Sequence, residues 1–314
     1  MWCSPHSCGT IYVVVKSAFD LPRSLERVKR ALGLTLGLSL TLGALQSFFG
    51  CRSKSRPIVA AAANGPKLPP LVADSWLVEL EVSGFGKAAL AVPVGAKEPR
   101  QVVIALHGAA DRPEWACGAW RGIAGPRPFV LCPRGILRPE FAAPDQRYTF
   151  GGADAVAAEL RASLAALKHR FGAHVAPGAV VLAGFELGAD RAAAIAPQEP
   201  TFFARLALVE PAPDTWPSSQ AALFGRAGGE RVLFVYGPAG RETAEFKAVL
   251  TRRGGAEARV VFLSDGQLGL GATTVAQLAG FWPWFSGPAS HLSPPENLVG
   301  NPLAAKRPEP VPRP

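Results

Sequence analysis

One passage, residues 180–194, limits what this chain can become more than any other. Four apolar residues, Val180-Val181-Leu182-Ala183, run into Gly184-Phe185-Glu186-Leu187-Gly188, and an Ala-rich stretch follows. The β-branched run predicts a buried strand and the Ala-rich run a helix. Two glycines bracket a turn that is too sharp for ordinary side chains. Such a turn lifts its central residue, Glu186, above the edge of a sheet. A strand that passes straight into a helix is the building unit of parallel sheets.

The rest of the chain repeats that unit. Residues 76–82 and 87–92 predict a strand pair, the second stopped by Pro93. Residues 102–106 predict a buried strand ending in His107-Gly108, and 128–132 another, followed by a long loop to about residue 152. Ala157, Leu160, Leu164 and Leu167 recur at helical spacing and predict a helix over 153–171. Strand 179–183, helix 187–195, strand 204–209 and a short helix near 220–224 come next. Strand 231–236, helix 242–252, strand 258–263 and helix 273–285 complete the series. Regular alternation implies an α/β fold with a mostly parallel sheet covered on both faces. Hydrophobic residues make up 48% of the 314, enough for one large core over residues 75–286.

The flanking segments have a different character. Residues 31–50 carry no charge and are rich in Leu, and Arg27, Lys29 and Arg30 precede them. That pattern fits a signal peptide or a membrane anchor within a leader over residues 1–51. Ser47-Phe48-Phe49-Gly50-Cys51 has the small residue before cysteine of a bacterial lipobox, which marks Cys51 for lipidation, although the Phe pair departs from the usual pattern. The basic cluster lies far from Met1, as it would if translation began near Val28. Residues 52–74 read as a linker and the Pro-rich residues 287–314 as a disordered tail. The expected setting is the cell envelope, with the membrane as one partner and a small-molecule or protein ligand as another. The formal charge is +9, of which residues 1–51 supply +3 (Lys16, Arg23, Arg27, Lys29 and Arg30 against Asp20 and Glu26). Without a dense basic stripe interleaved with aromatics, nucleic acid is not an expected partner.

Cysteine usage fits export. Beyond the leader only Cys117 and Cys132 remain, and the pair is either a disulfide or two buried thiols. No Cys/His spacing suits zinc, and neither a metal nor a cofactor is expected.

Two motifs give the chain a resemblance to the α/β-hydrolase superfamily, the esterases and peptidases among it. They are the turn Gly184–Gly188, which matches the G-x-S-x-G nucleophile elbow in its strand-turn-helix context, and Leu106-His107-Gly108 at the end of an earlier strand. The resemblance spans roughly residues 75–286. It implies an oxyanion hole formed by the backbone N–H groups of Leu187 and of Ala109 or a neighbour, with His107 and Gly108 shaping it. It also implies a serine where Glu186 stands, then an acid, then a histidine after the last strand. The acid would come from Gly237–Glu242, where Glu242 is the candidate. The histidine loop, Ser264-Asp265-Gly266-Gln267-Leu268-Gly269-Leu270-Gly271, contains none, and the only histidine beyond Glu186 is His291 in the tail. Two triad members are therefore missing.

Three roles remain open for Glu186. It can be a carboxylate nucleophile, as aspartate is in dehalogenase-like relatives, although those enzymes need the missing histidine to activate water. It can pair with His107 as an acid–base couple. Or its carboxylate turns inward, because a helix N-terminus favours an anion, and fills the oxyanion hole itself. The sequence favours the last, a pseudoenzyme that binds or scaffolds, over an active hydrolase built around Glu186, His107 or Asp265. His107 is otherwise expected to hold its own loop, His169 and His174 to be solvated, and Asp111 and Arg112 to line the pocket mouth. Trp115, Trp120, Trp282 and Trp284 are expected in the core.

Overall fold

The structure, a computed structural model, describes residues 67–263 and 269–286. In chain order the strands are β1 Leu77–Leu80, β2 Ala88–Ala91, β3 Val102–Leu106, β4 Phe129–Cys132, β5 Ile136–Arg138, β6 Arg147–Thr149, β7 Val181–Phe185, β8 Arg205–Val209, β9 Arg231–Tyr236 and β10 Glu257–Phe262. The helices are α1 Pro113–Ala124, α2 Ala153–Phe171, α3 Leu187–Ile195, α4 Ser218–Arg226, α5 Arg241–Gly254, α6 Ala272–Ala279 and α7 Trp282–Ser286. Eight strands form one sheet in the order β1-β2-β4-β3-β7-β8-β9-β10. β2 runs antiparallel to β1 and β4, and all later neighbours are parallel.

Alternation along each strand divides the core into two layers. On β7, Leu182 points to one layer while Val181, Ala183 and Phe185 point to the other. The first layer takes Val156, Leu160, Leu164 and Leu167 of α2, Ala189 and Ala192 of α3, Phe224 of α4 and Ala248 of α5. The second takes Cys117, Trp120 and Ile123 of α1, Leu278 of α6, and Trp282 and Phe285 of α7. Small residues on α3 let it lie close against the sheet, which seats the turn at its head.

Three features differ from the sequence expectation. The long loop after β4 contains the β5–β6 hairpin, too short and too exposed for its periodicity to register. The single helix over 273–285 is two, α6 and α7, because Pro283 cannot donate to a continuous helix. The packed body also begins before residue 75. Leu71 is buried in the first layer, and its N–H donates to Ala96 O at 2.9 Å. Cys51, the leader and residues 287–314 lie outside the described residues, as do most of the histidine loop and Asp265. Among the described residues no helix is long and apolar enough to cross a membrane.

Candidate active site

The site is built where β3, β7 and β8 end side by side. The register pairs Leu106 with Gly184 and Phe185 with Val209, so the next residues along form a row of Gly108, Glu186 and Glu210. Val209 pairs with Val235, which brings Tyr236 next to Glu210. Three residues at this edge that are not glycine have positive φ: Ala110 (55°), Glu186 (48°) and Glu210 (50°). Each such conformation costs on the order of 1–3 kcal/mol and persists only where the surroundings enforce it.

At Glu186 the surroundings are glycines. A Cβ on Gly184 would stand 2.3 Å from Gly188 O, and one on Gly188 would stand 2.4 Å from Leu106 O and 2.5 Å from His107 O. The turn is thus wedged against the ends of β3 and of its own helix, with no room for alanine at either position. Glu186 has φ 48° and ψ −118°, and its N–H donates to Val209 O at 2.9 Å. Its half-buried carboxylate folds towards the His107-Gly108 turn. Oε2 lies 2.7 Å from where a Gly108 Cβ would be, so the carboxylate occupies the space that the glycine leaves. Leu187 heads α3, where backbone N–H groups lack acceptors within the helix. Ala109 is exposed at the rim.

His107 is fully buried, stacked on Phe150 at 4.3 Å between ring centroids. Nε2 lies 3.0 Å from Arg134 O and Nδ1 2.8 Å from Gly108 O. Each ring nitrogen lies beside a carbonyl oxygen, which can only accept, so whichever nitrogen carries the proton donates it and ties the imidazole into its surroundings. The buried Glu159 secures the segment after β4 that carries Arg134, its carboxylate accepting from Gly135 N–H at 3.0 Å. Burial raises the Glu159 pKa, and the hydrogen bonds from Gly135 and Arg134 N–H groups oppose that rise. Asp111 makes a backbone bridge to Tyr148, so the β5–β6 hairpin abuts the chain three residues beyond the HG turn.

Glu242 does not join the row. It is exposed in the first turn of α5, where a carboxylate complements the helix dipole. The carboxylate at this edge that the sequence reading missed is Glu210. Its only sequence signal was its position directly after an apolar strand and before Pro211. Its Oε1 accepts from Gly237 N–H, and burial raises its pKa. Behind it lies a polar cluster between the sheet and helices α3 and α5. Asp190 Oδ1 accepts from Ala212 N–H at 2.9 Å and from the Thr215 hydroxyl at 2.5 Å. Lys247, buried on α5, donates to Ala212 O at 3.0 Å and to Thr215 O. Burial pushes the Lys247 pKa down to about 8 against the pull of Asp190 and Asp214. Burial, with Glu210 and Asp190 nearby, raises the Tyr236 pKa.

Cys117 on α1 and Cys132 at the end of β4 are joined in a disulfide, with Cα atoms 5.8 Å apart. Trp120 and Trp282 are in the core, whereas Trp115 and Trp284 are half-buried beneath arginines. His169 is exposed, and His174 bonds to Pro69 O at 2.9 Å. Among the described residues no group of three His, Cys, Asp or Glu is placed to hold a metal.

A mostly parallel eight-stranded sheet with its second strand reversed, a glycine-wedged elbow on β7 and an HG turn on β3 make up an α/β-hydrolase-type fold. No protein-family model matches the chain, and no curated protein does. Among solved structures it is similar to a carboxylesterase from Mesorhizobium loti, at 21% identity over 70% of this chain and 99% of that one, with a TM-score of 0.46. It is similar to EstE1, a thermostable carboxylesterase from a metagenomic library, at 16% identity over 70% and 92%, with a TM-score of 0.47. TT1662 from Thermus thermophilus matches at 15% identity over 67% and 98%, also with a TM-score of 0.47.

Proposed function

We propose that this is an α/β-hydrolase-like protein of the cell envelope that has lost Ser–His–acid catalysis and keeps its fold for binding or scaffolding. One observation carries the reading: the residue at the apex of the elbow is a glutamate whose carboxylate folds back against the HG turn. In that position it is a plug for the oxyanion hole. The burial of His107 between the Arg134 and Gly108 carbonyls supports the same conclusion, because its ring is tied into its surroundings. A disulfide between Cys117 and Cys132 fits an oxidising compartment, in keeping with a lipidated or anchored N-terminus.

The test is an assay of the purified protein with short-chain activated esters and a serine-reactive phosphonate probe. No turnover and no labelling are expected. Glu186→Ser alone should remain inactive, because no base is in place to activate a serine. Ester turnover that disappears in Glu186→Ala would overturn the reading. Mass spectrometry of the mature N-terminus reads the lipidation of Cys51, and an unprocessed leader would exclude it.

A second reading is an active carboxylesterase or peptidase-type hydrolase with an atypical site. The feature that favours it is the positive φ at three adjacent strand ends, since strain of this kind collects at working sites. Under that reading Glu186 and Glu210 act together, and Glu210→Gln should remove whatever turnover the native protein has.

A further inference from the structure

The outer face of α5 has a pattern that neither the fold nor the candidate site uses. Glu242, Phe246, Val249 and Arg253 are spaced four, three and four residues apart, so they form one stripe along the helix. The stripe faces water, with Phe246 63% and Val249 37% exposed. Its two ends have opposite charge. Glu242 and Glu245 lie in the first half of the helix, and Arg252 and Arg253 in the last turn. Glu245 is engaged by Arg241 at 3.5 Å, and Arg252 donates to Ala258 O at 3.1 Å. Glu242 and Arg253 are the ends left facing outward.

We infer that this stripe is a homodimer face, with a second copy of the chain laid antiparallel across it. A two-fold axis passing between Lys247 and Ala248 brings Phe246 of one copy opposite Val249 of the other. The same axis brings Glu242 opposite Arg253, and symmetry makes each pair twice. A parallel arrangement would put glutamate on glutamate and arginine on arginine. Both arrangements set apolar against apolar, but only the antiparallel one sets each charge against its opposite. Leu223 on the neighbouring α4 is also exposed, at 43%. The two helices form a close pair, because Gly225 of α4 meets the backbone of Gly254 of α5 with no space for a side chain. The stripe is smaller than the roughly 800 Å² per partner of stable complexes, so the dimer is weak, with a Kd on the order of 10 μM.

Sedimentation velocity of the full chain in mild detergent, over a concentration series, tests this. A concentration-dependent dimer is expected. Phe246→Asp should abolish it without changing the melting temperature, since the side chain is exposed. Glu242→Arg should weaken it roughly tenfold, and the double variant E242R/R253E should restore it, because the swapped charges face each other across the axis. A chain that stays monomeric up to about 100 μM would overturn the proposal, as would a dimer indifferent to both Phe246→Asp and Glu242→Arg. The charge reversal keeps the test valid should Phe246→Asp disturb the fold.

Discussion

Glu186 and Glu210 stand at the same level of adjacent strands, with φ of 48° and 50°, yet the protein enforces the two turns by different means. At the elbow the constraint is steric. Gly184 and Gly188 press backbone against backbone, and no other residue fits. At the second turn the constraint is polar. Glu210 is tied to the Gly237 N–H, and the loop beyond it is held by Asp190 from α3 and Lys247 from α5. A turn held by sterics can carry almost any side chain at its apex without loss of the fold. A turn held by named side chains has no such freedom. The elbow is therefore a fold marker whose chemistry is replaceable.

The largest expected effect is at the steric turn. Gly188→Ala would drive a methyl group into the carbonyl oxygens of Leu106 and His107, and it should destabilise by about 4 kcal/mol or more in urea unfolding. Gly237→Ala, in the polar turn, meets only the Glu210 carboxylate at 3.4 Å and should cost less than ~1 kcal/mol. Equal losses at the two glycines would erase the distinction.

Lys247→Met comes next. It strips the donor from two loop carbonyls and should cost about 2 kcal/mol, with the elbow unaffected. A pH dependence goes with it. The buried amine titrates near 8 and the unfolded one at 10.5, so between those values the unfolded chain holds more protons. Stability should therefore rise with pH from about 8 to 10.5, and the rise should flatten in Lys247→Met. A slope that survives the substitution would assign it to another group.

The same division explains what the sequence disclosed. The elbow, the HG turn and the helices over 153–171 and 187–195 were legible because glycine spacing and apolar periodicity are local. The polar cluster was not. Asp190 meets Thr215 and Ala212 across 25 and 22 positions, and Lys247 meets the same loop across 32 and 35. No spacing rule links residues so far apart, and Glu210 was passed over for Glu242, whose side chain the fold leaves on the surface. The break between α6 and α7 was readable at Pro283, but the apolar run through Trp282 and Phe285 outweighed it.

The smallest and most discriminating effects come from replacing each glutamate by glycine. Both variants relieve a similar positive φ, worth on the order of 1 kcal/mol in stability. That backbone gain is common to the pair, so the difference between Glu186→Gly and Glu210→Gly reads what each carboxylate does. Glu210→Gly leaves the Gly237 N–H without its acceptor, a loss of about 1 kcal/mol that should cancel the gain. Glu186→Gly removes a half-buried carboxylate enclosed by the HG turn, so its loss is set against the same gain. Calorimetric melting of the two variants ranks the two ties. If Glu186→Gly melts well below Glu210→Gly, the Glu186 carboxylate is the stronger tie, and the elbow is no longer free to change its apex.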